Sequence, residues 1–110
     1  MYQESPVVKL LSKLVSIPSI NPSLDKESLG CGEEPVTNFL EETSKNAGLV
    51  TERQKVAPGR DNLLVRLTPA DEVKYCVLLA PHLDVVPAPL EAFTPKITGN
   101  QLYGRGECDT

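Results

Sequence analysis

Several features that mark common protein classes are missing from this sequence of 110 residues. Positive charge is not in excess: eleven lysines and arginines face fifteen aspartates and glutamates, for a formal charge of -4. A nucleic-acid binder presents a basic stripe, so this balance argues against that class. No apolar run approaches the ~20 residues that span a bilayer, which argues against a membrane protein. The opening Met1-Tyr2-Gln3-Glu4 lacks the basic start and apolar block of a secretory signal, and a cytoplasmic location is the expectation. Cysteine is sparse. Cys31, Cys76 and Cys108 cannot all pair within one chain, and their spacing fits no CxxC zinc or redox pattern. With no secretory signal, free thiols are the simplest reading. Cys76 sits inside an apolar run and is expected to be a small buried hydrophobe. There is no internal repeat, no P-loop or dinucleotide fingerprint, and no G-x-S-x-G nucleophile elbow.

What is present is the composition of a globular chain, 40% hydrophobic and 24% charged. Ser5-Pro6 opens a helix, with Ser5 as N-cap and Pro6 at the first helical position. Val7, Val8, Leu10, Leu11, Leu14 and Val15 recur at helical spacing, and Pro18 stops the element at about Ser16 or Ile17. The polar stretch from Asn21 to Gly32 reads as a surface loop. A second helix follows Glu33-Glu34-Pro35, residues suited to the positive end of a helix dipole. Val36, Phe39, Leu40, Thr43 and Ala47 line one of its faces, and Gly48 suits a left-handed C-terminal cap. Beyond it, Leu49–Val56 and Asn62–Leu67 read as strands. Tyr75-Cys76-Val77-Leu78-Leu79-Ala80 is apolar throughout, as expected of a strand buried on both faces in the middle of a sheet. Ile97–Tyr103, with Gly99-Asn100 at the turn, reads as a hairpin. The fold class expected is α/β, with helices packed on a mixed central β-sheet.

The residues that carry chemistry follow the apolar run, at Pro81-His82-Leu83-Asp84. His82 is the only histidine, and ligands of open α/β sheets gather where strands end. In extended chain, His82 and Asp84 project to one side. A carboxylate beside an imidazole fixes its tautomer, a usual support for a metal-ligating histidine. The bland alternative is a solitary histidine at a strand end, bonded to its neighbour and functionally silent. Further on, Gly104-Arg105-Gly106 permits close approach of the backbone to something else, or is an ordinary turn after a hairpin. Asp109 supplies a hard oxygen ligand that, with an imidazole, suits Zn²⁺.

Taken in order, Val77-Leu78-Leu79-Ala80-Pro81-His82-Leu83-Asp84-Val85-Val86-Pro87, Phe93-Thr94-Pro95-Lys96-Ile97, and Leu102-Tyr103-Gly104-Arg105-Gly106 with Asp109 resemble the M20 family of metal-dependent hydrolases. The likeness extends upstream through Ser16-Ile17-Pro18-Ser19-Ile20-Asn21-Pro22, the second helix with Gly48, and Ala57-Pro58-Gly59-Arg60-Asp61-Asn62. It implies the fold of a zinc-exopeptidase-like catalytic domain. It also implies amide hydrolysis by a water activated on two Zn²⁺ ions, with Co²⁺ as a possible substitute. By position, His82 matches a zinc ligand and Asp84 the carboxylate that orients it and supports catalysis. Asp109 matches the aspartate that bridges the two ions, and the peptide bond after it is commonly cis in the family. Pro81 departs from the family's usual Gly or Ser.

The family's Lys-Gly continuation, paired glutamates, further ligands and lid are absent, so the resemblance implies that residues 1–110 are the N-terminal portion of the catalytic domain. With two ligands named, where a catalytic zinc takes about three, the chain alone is expected to bind zinc weakly and to hydrolyse nothing. The Ile17-Pro18-Ser19 and Ala57-Pro58-Gly59-Arg60 segments look most like the acetylornithine deacetylase and succinyl-diaminopimelate desuccinylase branch. The expected substrate is therefore a small N-acyl amino acid, with a dipeptide or short peptide as the alternative. Intact family members are often homodimeric. Two rivals come from other classes: a non-catalytic zinc or protein-interaction module using His82, Cys108 and Asp109, and a thiol enzyme with Cys108 as nucleophile and His82 as base.

Overall fold

Serine before proline starts the first element as expected. In the computed structural model, which describes residues 5–108, α1 spans Pro6–Val15, with Ser5 at the N-cap by backbone geometry (φ -59°, ψ 134°) but no capping bond from its side chain. Ser16 closes the helix, its N–H donating to the Ser12 carbonyl and its Oγ to the Lys13 carbonyl. The opening tetrapeptide, Asp109 and the Asp109–Thr110 peptide bond lie outside the described residues. The apolar stripe of α1 is only partly used: Val15 is buried, while Val7 and Leu10 are exposed.

Glu33 stands at the N-cap of α2 (Glu34–Asn46). Val36 and Thr37 face the core, and Thr37 Oγ1 donates to the Glu33 carbonyl at 2.8 Å. The helix ends in a Schellman motif: Gly48 takes φ +79°, its N–H reaches the Lys45 carbonyl, and the Leu49 N–H reaches the Ser44 carbonyl. Only glycine holds that left-handed position without cost. The chain then forms β1 (Val50–Gln54) and returns as antiparallel β2 (Asn62–Arg66), in register from Val50 opposite Arg66 to Gln54 opposite Asn62. Near the end, a 3₁₀ turn at Leu90–Phe93, not anticipated from the sequence, sets Phe93 into the core. The expected second hairpin follows: β3 (Lys96–Thr98) pairs with β4 (Gln101–Tyr103) across Gly99-Asn100, with Gly99 at φ +59°.

Two expectations are corrected. Tyr75–Ala80 does not form a buried central strand; no strand is formed there, and Tyr75, Val77, Leu78 and Leu79 are 81–89% exposed. Cys76 is correspondingly exposed rather than buried. The mixed central sheet is therefore replaced, among the described residues, by two separate two-stranded antiparallel sheets. The mixed helix-and-strand character holds. The physical reason is that a strand forms only where another offers its hydrogen-bonding edge. None of the described residues offers one to this segment, whatever its intrinsic preference.

The core is built around a crossing of three segments. Ile20, fully buried, forms parallel bridges to Cys31 on one side and Val85 on the other. Its N–H donates to the Gly30 carbonyl at 2.9 Å and its carbonyl accepts from the Gly32 N–H at 2.8 Å. On the other side, the Val85 N–H donates to the Ser19 carbonyl at 3.0 Å and the Asn21 N–H to the Val85 carbonyl at 2.9 Å. This crossing fixes residues 19–21 beside residues 84–85.

Candidate functional site

His82 and Asp84 meet as their spacing suggests. His82 Nδ1 lies 2.9 Å from the Asp84 backbone carbonyl oxygen and 3.2 Å from Asp84 Oδ1. A backbone carbonyl can only accept, so Nδ1 is the donating nitrogen in this contact. The ring is about half exposed and the carboxylate less so. The second carboxylate oxygen, Asp84 Oδ2, accepts from Asn21 Nδ2 at 2.8 Å. Asn21 is held in turn: its Oδ1 accepts from the Ser23 N–H at 2.8 Å, a turn that an Asn-Pro pair favours.

A second polar group lies alongside. Arg60, in the β1–β2 connection, binds the buried Glu33 carboxylate through Nε at 3.1 Å to both oxygens and through a terminal nitrogen at 2.6 Å. The hydrogen bond to Glu33 raises the Arg60 pKa above its ordinary value, with a further charge contribution from Asp84. Arg60 thus ties the start of α2 to the β1–β2 connection and adds positive potential near Asp84.

The two glycines flanking Arg105 serve close approach, and what they approach is the molecule's own core. A side chain at Gly104 would overlap Val15 of α1, and one at Gly106 would meet Val85 Cγ1 at 2.9 Å. The Arg105 N–H donates to the Ala92 carbonyl at 2.8 Å. Sequence reasoning gave no role to Asn21 or to the Glu33–Arg60 pair. The signal available for Asn21 was the Asn-Pro dipeptide; for Arg60 there was none, since its partner is 27 residues away.

The donor chemistry fits one imidazole ligand with its orienting carboxylate. It does not complete a metal centre, because no group of three or more His, Cys, Asp or Glu among the described residues could hold an ion. Asp109, the other sequence-predicted ligand, lies outside the described residues. Cys108 is an exposed free thiol. Two surface depressions, one along α2 beside Glu41 and one between Glu91 and Tyr103, include neither His82 nor Asp84. No described helix is long and apolar enough to cross a membrane.

No family model matches the chain, and no solved structure matches it. Two curated proteins do. A peptidase M20 domain-containing protein of Schizosaccharomyces pombe is 34% identical over 96% of this chain and 28% of its own length. Aminoacylase-1A of Rattus norvegicus is 30% identical over 96% of this chain and 26% of its own length. The chain thus spans little more than a quarter of either relative. Over nearly all of its own length the chain is similar to part of an M20 peptidase domain-containing protein and to part of an aminoacylase.

Proposed function

We propose that these residues are the N-terminal portion of the catalytic domain of a metal-dependent hydrolase that cleaves the amide bond of small N-acyl amino acids. The observation that carries the reading is the His82–Asp84 pair, with His82 Nδ1 facing both the Asp84 backbone carbonyl and its carboxylate. In this reading His82 Nε2 is a zinc ligand, Asp84 holds the ring in its tautomer and orientation, and Asp109 is a further ligand. Paired zinc ions, when bound, polarise a substrate carbonyl and make a water acidic enough to attack at neutral pH. The chain's own contribution is to present one imidazole at a fixed angle and to keep a carboxylate charge beside it.

The printed name of the rat relative, an aminoacylase, supports the N-acyl amino acid. That of the yeast relative, a peptidase domain, supports a second reading, in which the substrate is a dipeptide or the C-terminus of a short peptide. The finer assignment to acetylornithine deacetylase-type substrates rests on the sequence resemblance alone. The test is an assay of the full protein carrying these residues, with Zn²⁺ or Co²⁺, on N-acetyl amino acids and on dipeptides. Amide cleavage is expected, lost with His82→Ala and reduced about 10–100-fold with Asp84→Asn. Failure to cleave either substrate class, or cleavage indifferent to His82→Ala, overturns the proposal.

A further inference from the structure

We propose that Asn21 is a positioning residue for Asp84, acting through it on the tautomer and orientation of His82. The inference deepens the hydrolase reading and rests on it only for its consequence in catalysis. Three observations carry it. First, the two oxygens of Asp84 are divided between partners: Oδ1 faces His82 Nδ1 at 3.2 Å, and Oδ2 accepts from Asn21 Nδ2 at 2.8 Å. A carboxylate with only one partner can swing about its terminal torsion; a donor on the far oxygen removes that freedom and keeps Oδ1 on the ring.

Second, the amide of Asn21 can point only one way. Its oxygen accepts from the Ser23 N–H at 2.8 Å, so its NH₂ group faces Asp84. The reversed amide would set two donors against each other at Ser23 and an acceptor against a carboxylate at Asp84. Third, the backbone beneath the pair is clamped. The Asn21 N–H donates to the Val85 carbonyl and the Val85 N–H to the Ser19 carbonyl, next to the fully buried Ile20. The 63-residue separation between Asn21 and Asp84 is therefore bridged by backbone as well as side chain.

The test is ¹⁵N NMR of the His82 ring nitrogens in the metal-free protein at alkaline pH, with the signals identified by their loss in His82→Gln. The Nδ1–H tautomer is expected to dominate. Asn21→Ala is expected to lower the ratio of Nδ1–H to Nε2–H at least threefold, and Asn21→Gln, which keeps the donor, to bring it back within twofold of the unsubstituted protein. An unchanged ratio in Asn21→Ala, or no recovery in Asn21→Gln, overturns the proposal.

A measurement without any substitution serves if the variants do not fold. The Asn21 Nδ2 proton held by Asp84 should exchange with water at least tenfold more slowly than those of the exposed Asn46, and equal rates overturn the proposal. In turnover, Asn21→Ala is expected to lower kcat about tenfold, in the range for groups that orient a metal ligand, with KM within twofold. A tautomer shift in a protein that cleaves no amide would sink the hydrolase reading and leave the role of Asn21 standing. Amide cleavage with no tautomer shift would do the reverse.

Discussion

Gly104 has room for a hydrogen and nothing larger, because a methyl group there would overlap the Val15 side chain, which is itself buried. Its backbone is not left-handed, so the cost of a side chain is steric. Gly104→Ala is expected to destabilise the protein by about 1–3 kcal/mol, the range for overpacking a core, read as a lowered unfolding midpoint. The penalty should shrink in a Val15→Ala background, where the opposing methyls are gone; an equal penalty in both backgrounds would refute the contact. Gly99 provides the contrast, since it has φ +59° and no atom near its missing side chain. At this scale the sequence was half legible. Glycines around Arg105 signalled that something comes close, but Val15 as the neighbour is a product of tertiary packing that no local pattern encodes. His82 and Asp84 were legible because two residues of extended chain bring them together. Asn21 was not, because its partner lies 63 residues further along the chain, beyond α2 and the β1–β2 pair.

Among elements, α2 and the β1–β2 hairpin are joined by a polar contact with a definite response to acid. Glu41 accepts from Lys45 at 2.9 Å on its own helix and from Arg53 of β1 at 2.7 Å, and Arg53 also donates to Asn38 Oδ1 at 2.7 Å. The hydrogen bonds from Lys45 and then Arg53 hold the Glu41 pKa below its ordinary value. A carboxyl whose folded pKa is depressed stabilises the fold fully above its unfolded pKa, about 4.3 for glutamate. It loses that contribution as pH falls through the lower folded value. Urea unfolding should therefore find Glu41→Gln less stable than the unsubstituted protein at neutral pH, with the gap closing below about pH 4. A gap that persists in strong acid would show that the charge is not responsible. The helices and the Ile97–Tyr103 hairpin were readable because proline, glycine and acidic residues punctuate them locally, and β1 and β2 were readable as strands though not as a pair. The Tyr75–Ala80 strand was misread because apolarity reports a wish to be buried, whereas strand formation depends on a partner elsewhere.

For the molecule as a whole, the radius of gyration is 15.5 Å, against about 13 Å for a compact domain of this length. The extension goes with the run from Tyr75 to Leu79, whose apolar side chains face solvent. Exposed segments of high strand propensity and low charge seek a second chain. The 110-residue chain at micromolar concentration is expected to self-associate in light scattering, and the pair Val77→Lys and Leu79→Lys to restore monomer. A monodisperse unsubstituted chain would refute this. The crossing at Ile20 also carries a consequence for biosynthesis. Cys31 is near Ile20 along the chain and Val85 is far, so closing the second loop costs about 1.6 kcal/mol more entropy than closing the first. On a nascent chain leaving the ribosome, the Ile20–Cys31 ladder can therefore form while residues 84–85 are still untranslated. The other edge of Ile20, with Asn21 beside it, is the one that receives Asp84 and Val85 in the folded chain.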